Sequence, residues 1–169
     1  LSCQKYSLLL LVSLLQFARP VFGQNQPQDT VHLLTLIDQV PALMRSNEVE
    51  ARKKMATIAK LSDQLNYKHG KVESAFFSSW LKYRHSPADV CIAAIDSALK
   101  YIQDIAKDPA EIKFYILKGQ CYVKKTRFDL AVASFNVALD IAERKQDFVN
   151  RNGVLISIGW AYMEDGKPK

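Results

Sequence analysis

The chain has 169 residues, and its 23 basic and 17 acidic side chains give a formal net charge of +6 at pH 7. The charges of both signs are interspersed as on solvated helix surfaces, whereas a nucleic-acid-binding protein collects Lys and Arg on one stripe, so we expect no nucleic acid to be bound by this segment. The 3 cysteines show no Cys-x-x-Cys spacing and no nearby histidine cluster, which argues against a metal site.

The first 23 residues are typical of a secretory signal peptide. Lys5 precedes an apolar run over residues 8–15, which is shorter than the roughly 20 residues that a spanning helix needs. Gly23 supplies the small residue expected at a cleavage site. The alternative is an uncleaved membrane anchor, although Arg19 interrupts the stretch where a span would continue. We expect an exported protein, periplasmic or otherwise extracytoplasmic.

Residues 24–28 are polar and predict a short disordered leader, and residues 29–169 predict a helical repeat domain. Asp29 or Thr30 is expected to cap the first helix. Pro41 is expected to kink or end that helix, because proline lacks the backbone N–H that an interior position donates. No segment alternates apolar and polar residues over enough positions to predict a strand.

The second helix is expected to start at Asn47, since Glu50 three residues later completes a pattern like a capping box. Gly70 is expected to close the turn after that helix. The third helix follows, and residues 86–89 (Ser-Pro-Ala-Asp) predict the start of the fourth with a cap, a proline and an acid in the first turn.

The later part of the chain predicts three more helices. The fifth opens at Asp108-Pro109, the sixth runs from Thr126 and Asp129 to about Gln146, and the seventh covers roughly 149–164 with Gly166 as its stop and Pro168 opening another. The result is three helical hairpins and half of a fourth. A repeat array that ends on an unpaired helix leaves an apolar face exposed, so we expect the domain to be truncated at its C-terminus.

A constant step of 40 residues relates these helices. The residues that recur at this step are Ala51, Cys91 and Ala131; Met55, Ile95 and Phe135; Gly119 and Gly159; and Tyr122 and Tyr162. Such a step predicts a helical repeat protein, whose hairpins stack because one hairpin cannot bury its apolar face alone. The small residues Ala51, Cys91, Ala131, Gly119 and Gly159 are expected where two helices approach within about 8–10 Å.

The segment from Phe114 to Tyr122 and the residues after it resemble a tetratricopeptide repeat. The similarity rests on an aromatic, glycine, tyrosine, alanine, aromatic and alanine series: Phe114, Gly119, Tyr122, Ala131, Phe135 and Ala138. It covers roughly residues 30–169 and implies an all-α, right-handed superhelical solenoid of antiparallel helical hairpins. The step of 40 exceeds the family's usual step of about 34 residues, so the repeats resemble an extended variant with a longer second helix.

Exported arrays of this kind resemble the extracytoplasmic N-terminal regions of bacterial sensor kinases and membrane-tethered transcription regulators. The resemblance implies a non-catalytic protein–protein interaction module, acting as the sensory or dimerising region of a larger signalling protein. Contact with a membrane would then come only from a segment after Lys169. The alternative is a free-standing exported scaffold or assembly factor built from the same repeats.

In such an array the first helix of each hairpin lines the concave face, and the step of 40 aligns three rows there. The rows are Trp80, Gln120 and Trp160; Tyr83, Val123 and Met163; and Arg84, Lys124 and Glu164. Since Trp, Tyr and Arg often anchor interfaces, we predict a groove for an extended peptide or protein segment formed by Trp80, Tyr83, Arg84, Gln120, Lys124 and Trp160. The alternative is that both tryptophans pack between hairpins, and a homodimer is also left open.

No motif predicts catalysis or a cofactor, because the chain has no His-Glu-x-x-His, no glycine-rich phosphate loop and no Gly-x-Ser-x-Gly. Two Ser-x-x-Lys matches, at residues 79–82 and 97–100, fall in helices expected to pack. We therefore predict a non-enzymatic protein. Cys91 and Cys121 either fill small buried sites or form the disulfide that an exported location permits, and the sequence leaves both alternatives open.

Overall fold

A computed structural model of the protein describes residues 27–103 and 110–166. Within these two ranges the secondary structure is entirely α-helical, which confirms the predicted all-α class. The helices are α1 (Pro27–Ser46), α2 (Glu48–Gln64), α3 (Lys68–His85), α4 (Ala88–Gln103), α5 (Glu111–Lys124), α6 (Phe128–Arg144) and α7 (Phe148–Asp165). The predictions for the signal peptide, most of the leader, Asp108-Pro109 and Pro168 lie outside the described residues.

The helices pack in the order in which they occur in the chain. Each one contacts the next, and the odd-numbered helices α1, α3, α5 and α7 also contact one another in succession. Within the described ranges, α2, α4 and α6 contact only the odd-numbered helices on either side of them. The odd-numbered helices therefore form one continuous layer, and the even-numbered helices lie against it.

Burial in the even-numbered helices follows the step of 40 residues seen in the sequence. The aligned buried positions are Ala51, Cys91 and Ala131; Met55, Ile95 and Phe135; Ile58, Ala98 and Ala138; and Ser62, Ile102 and Ala142. One face of each even-numbered helix thus enters the core in the same register. A regular stack of equivalent helices gives this pattern because every interface repeats the previous one.

The odd-numbered helices keep the same burial register while their ends vary. Val72 and Ile112 are both buried, as are Phe77 and Leu117, yet α3 and α5 begin at Lys68 and Glu111. The expected longer second helix is found in the α5–α6 hairpin, with 17 residues against 14, but not in the α1–α2 hairpin, where α1 has 20 residues and α2 has 17. Packing in the core thus determines which residues of these helices are buried, whereas the local turns determine where each helix begins and ends.

The first helix departs from its prediction at both ends. It begins at Pro27, so two residues assigned to the disordered leader are helical, and it ends at Ser46, five residues beyond Pro41. The expectation that Pro41 ends the helix is therefore wrong. Val40 and Met44 lie on either side of the proline and are buried, and their packing outweighs the backbone hydrogen bond that proline cannot make.

The turn after α2 is made by Asn66 rather than by Gly70. Asn66 adopts a φ of 48°, and the N–H of Tyr67 donates to the carbonyl of Ser62 at 2.8 Å, which closes the helix end. Gly70 lies inside α3 and is buried. A Cβ at Gly70 would lie 3.1 Å from Cβ of Ser62 and 3.0 Å from a ring carbon of Tyr67, so glycine is needed there for close helix packing.

The predicted helix start at Asn47 is confirmed, whereas the caps predicted at Asp29 or Thr30 are wrong, because α1 begins at Pro27. The carboxamide oxygen of Asn47 accepts a hydrogen bond from the N–H of Glu50 at 3.1 Å, as expected. The cap predicted at Thr126 is wrong: Arg127 occupies the N-cap position of α6, and Thr126 adopts a φ of 56° in the turn before it. The N–H of Arg127 donates to the carbonyl of Tyr122 at 3.0 Å, so this turn belongs to the end of α5.

Replacing Asn47 by alanine should lower the free energy of unfolding by about 1 kcal/mol, because the N–H of Glu50 loses its partner. Urea denaturation followed by circular dichroism measures this change. Ser46→Ala is the matched control, since the Ser46 hydroxyl only bonds back to the carbonyl of Ala42 within α1. Equal stability of the Asn47 and Ser46 variants would contradict the capping role.

Candidate functional site

The residues of the predicted groove lie on the layer of odd-numbered helices. Trp80, Tyr83 and Arg84 are on α3, Gln120 and Lys124 are on α5, and Trp160 is on α7. These three helices contact one another in succession, so the groove residues occupy one side of the stack. Two cavities lie among them and share Gln120 as a common wall.

The larger cavity has a volume of about 290 Å³ and lies between α5 and α7, with Tyr83 of α3 at one side. Its lining combines apolar surface with a few polar groups: Tyr83, Gln120, Val123, Lys124, Phe135, Ile156, Ser157, Trp160, Ala161 and Glu164. The Trp160 side chain is 60% exposed, so much of its indole ring is available to a ligand. An apolar cavity with a few polar groups is the usual form of a binding site.

The smaller cavity has a volume of about 230 Å³ and lies between α3 and α5. It is lined by Phe76, Trp80, Lys113, Ile116, Leu117 and Gln120. Trp80 also packs against both neighbouring core clusters, one around Phe77 and one around Phe114. The two tryptophans of the row therefore have different surroundings, because Trp80 is partly buried between hairpins while Trp160 is largely open to solvent.

Two cations of the groove lie over aromatic rings. The Lys124 ammonium is 3.8 Å from the centre of the Tyr83 ring and donates to the Tyr83 carbonyl at 2.5 Å. The Arg84 guanidinium is 4.9 Å from the centre of the Trp80 ring. Both contacts fix the position of a positive charge beside an aromatic surface. Burial raises the pKa of the Tyr83 phenol, which is neutral at physiological pH.

A third cation at the groove, Lys113, is paired with the buried carboxylate of Glu73. Glu73 is 3% exposed and accepts a hydrogen bond from the Lys113 ammonium at 2.8 Å. The same ammonium is 5.6 Å from the centre of the Phe76 ring. Glu73 and Lys113 stand 40 residues apart, so this ion pair joins equivalent positions on α3 and α5. It holds Lys113 at the edge of the smaller cavity.

Three cavity-lining residues were not among the predicted groove residues, although the step of 40 aligns them in a row of their own. Phe76, Ile116 and Ile156 are spaced by the same step of 40 and precede the Trp80, Gln120 and Trp160 row by one helical turn. Phe76 and Ile116 line the smaller cavity, and Ile156 lines the larger one. Their apolar character marked them as core residues, and only the cavities place them at the groove.

Cys91 and Cys121 are free thiols in the structure, and both are fully buried. They lie within hydrogen-bonding reach of each other, and the Cys91 thiol also donates to the carbonyl of Ser79 at 3.4 Å. The hydrogen bond with Cys91 and burial raise the pKa of Cys121, so its thiolate is disfavoured. Both side chains thus fill small sites in the core without a bridge between them.

The first Ser-x-x-Lys match does not form a hydrogen-bonded pair. The Ser79 hydroxyl donates to the carbonyl of Ala75 at 2.9 Å, while the Lys82 ammonium donates to the hydroxyl of Ser78 at 3.1 Å. The Ser79 hydroxyl and the Lys82 ammonium therefore form hydrogen bonds within α3, but not with each other. In the part of the chain that the structure describes, no cluster of three His, Cys, Asp or Glu residues is arranged to hold a metal ion.

Comparisons of the chain with protein-family models, with curated proteins and with solved structures find no match. Among residues 27–103 and 110–166, no helix combines the length and the apolar character that a membrane span requires. Inference about function therefore depends on the geometry of the groove.

Proposed function

We propose that this chain is a non-catalytic protein-interaction module of tetratricopeptide-like repeats that binds an extended peptide segment along α3, α5 and α7. One observation carries the proposal: the six groove residues lie on three successive odd-numbered helices, and all of them except Arg84 line two cavities that share Gln120. A right-handed superhelical arrangement of the hairpins is part of the proposal. An extended segment matches such a site because successive side chains enter successive pockets.

The chemistry of the groove defines the peptide. The larger cavity offers the exposed face of Trp160 together with Val123 and Ile156, so it accepts an aromatic or branched aliphatic side chain. Lys124 places a positive charge at this cavity, which also contains the carboxylate of Glu164. Lys113 lines the smaller cavity, and Arg84 lies over the ring of Trp80 there. A peptide with one bulky apolar residue and neighbouring carboxylates satisfies both features.

The biological setting proposed for this module is an exported signalling protein, in which the groove receives the input or joins two subunits. The apolar run over residues 8–15 and the repeat resemblance support this setting. Both a sensory region and a scaffold protein can use a peptide-binding groove. The proposal about the groove therefore holds for either biological setting.

Selection from a random peptide library displayed on phage tests the proposal, using fluorescence anisotropy to measure affinities of the enriched peptides. We expect the Trp160→Ala variant to bind them about tenfold or more weakly, because it removes an exposed aromatic anchor. Phe148→Ala is the matched control: Phe148 is another exposed aromatic residue of α7 and lies outside both cavities, so its variant should bind within about twofold of wild type.

Two results would contradict the proposed groove. One is a library that yields no enriched sequence on the wild-type protein. The other is a set of peptides whose affinity is the same for the wild-type protein and the Trp160→Ala variant, which would place their binding site elsewhere on the surface.

A further inference from the structure

Cys91 of α4 and Cys121 of α5 form a pair of thiols in the core. Both are 0% exposed, belong to one core cluster and lie within hydrogen-bonding reach of each other. The Cys91 thiol also donates to the carbonyl of Ser79 on α3 at 3.4 Å. The pair therefore lies where α3, α4 and α5 meet.

The packing of this interface does not by itself require sulfur. The step of 40 residues places aliphatic side chains at the equivalent positions of the neighbouring interfaces: Ala51 and Leu81 between α2 and α3, and Ala131 and Ala161 between α6 and α7. In the α6–α7 interface both alanines are 0% exposed and belong to one core cluster. Alanine is thus sufficient at both positions, and the paired thiols add a chemical property that packing does not explain.

The placement of the pair suits a disulfide. Small residues let neighbouring helices approach within about 8–10 Å, and a disulfide joins two residues whose Cβ atoms lie about 4 Å apart. Thiols that already reach each other by a hydrogen bond need only a small movement to form a covalent bond. A bridge between α4 and α5 would therefore require little rearrangement of either helix.

We propose that Cys91 and Cys121 are a site of reversible oxidation, at which a low-molecular-weight disulfide converts the two thiols into one bridge between α4 and α5. The Cys91 thiolate attacks one sulfur of the oxidant, whose S–S bond breaks and releases a first thiolate. The Cys121 thiolate then attacks the Cys91 sulfur and releases the second. Two electrons pass from the cysteines to the oxidant, and the two protons that the cysteines lose end on the two released thiols.

The surroundings of the pair give the two thiols different roles. The hydrogen bond with Cys121 lowers the pKa of Cys91 against the opposing effect of burial, and the charges of Lys124 and Lys82 lower it further. The same hydrogen bond and burial raise the pKa of Cys121. Cys91 is therefore the attacking thiol, and Cys121 completes the bridge.

Tyr83 controls the access of an oxidant to the buried pair. Its side chain packs against the core cluster that contains both cysteines, and it also lines the larger groove cavity. The ring thus lies between the thiols and an opening to solvent, so its rotation exposes the pair to a small molecule in the cavity. Oxidation of the pair does not depend on the peptide-binding function proposed for the groove.

The test uses the full chain with Cys3→Ser, which leaves Cys91 and Cys121 as the remaining two of its 3 cysteines. The folded protein is incubated with oxidised glutathione, and its thiols are alkylated and mapped by mass spectrometry. We expect one bridge between Cys91 and Cys121 that dithiothreitol reverses. The Tm should rise by about 5–10 °C on oxidation, because the bridge closes a loop of about 30 residues in the unfolded chain.

Two sets of variants separate the bridge from other effects. Cys91→Ala and Cys121→Ala should fold, since alanine fills the equivalent positions of the α6–α7 interface, and oxidised glutathione should not raise their Tm. Tyr83→Ala should speed formation of the bridge about tenfold or more by opening the pair to the oxidant. Tyr115→Ala is the matched control and should react within about twofold of the parent rate, because Tyr115 packs against the same cluster but lines neither groove cavity.

Three outcomes would overturn the proposal. The first is a folded protein whose two thiols stay free under conditions that bridge them once urea has unfolded the chain. The second is a glutathione adduct that persists on either cysteine without a bridge, and the third is a bridge that lowers the Tm. Equal rates for the Tyr83 and Tyr115 variants would overturn the access route through Tyr83. No readout involves peptide binding, so failure here is distinguishable from failure of the proposed groove.

Discussion

Replacing Trp80 by alanine should lower the free energy of unfolding by about 3–5 kcal/mol, whereas Trp160→Ala should change it by less than about 1 kcal/mol. Trp80 packs against two core clusters, so its removal leaves a cavity between hairpins. Trp160 is 60% exposed and leaves little empty volume. Chemical denaturation followed by circular dichroism measures both changes, because the far-ultraviolet signal of this protein comes mainly from its helical backbone.

The comparison between the two variants separates the two alternatives for this row of residues. Similar losses for Trp80 and Trp160 would show that both are packing residues and would remove the main anchor of the proposed groove. A small loss for Trp80 would mean that its contacts with the two clusters contribute little to the stability of the stack.

Replacing Phe135 by alanine should lower the free energy of unfolding by about 3–5 kcal/mol. Phe135 is 1% exposed, and its ring fills the space above Gly119 where α5 and α6 approach each other. Removing the ring also removes one wall of the larger groove cavity, so peptide affinity should fall together with stability. Phe148→Ala is the control, because Phe148 is 70% exposed and its removal should change stability by less than about 1 kcal/mol.

The glycine opposite Phe135 gives a second measurement of the same contact. Gly119→Ala should destabilise the protein by about 1–3 kcal/mol, because its methyl group overlaps the ring. In the double variant with Phe135→Ala the added cost of Gly119→Ala should largely disappear, since the two residues share one contact. Strictly additive losses would show that Gly119 and Phe135 are not in contact.

Much of the fold follows from the periodicity of the sequence. The step of 40 residues that relates Ala51, Cys91 and Ala131 is also the step at which these residues are buried. The sequence pattern was sufficient because each helix buries one face, and a face is defined by the spacing of apolar residues along the helix. Side-chain caps such as Asn47 were also predictable, since they depend on residues three positions apart.

Helix ends without such caps could not be predicted from the same patterns. Asn66 and Thr126 adopt positive φ in turns that the sequence assigned elsewhere, and Pro41 lies within a continuous helix. For Pro41 a local preference yields to packing between helices, which involves residues far apart in the chain. Asn66, by contrast, is a residue type that readily adopts positive φ at a helix end. Gly70 was predicted to form a turn because glycine is conformationally free. In the structure it lies inside a helix, where a side chain would collide with Ser62 and Tyr67.

The sequence by itself determined that the chain is built from helices in a repeating register, and it placed the six groove residues on one set of helices. Only the tertiary structure decided that Gly119 is covered while Gly159 is open, and that Trp80 is packed while Trp160 is exposed. The step of 40 makes each pair equivalent in sequence. Exposure depends on whether another helix lies against the position, and that is a property of the neighbours of a residue rather than of its own repeat.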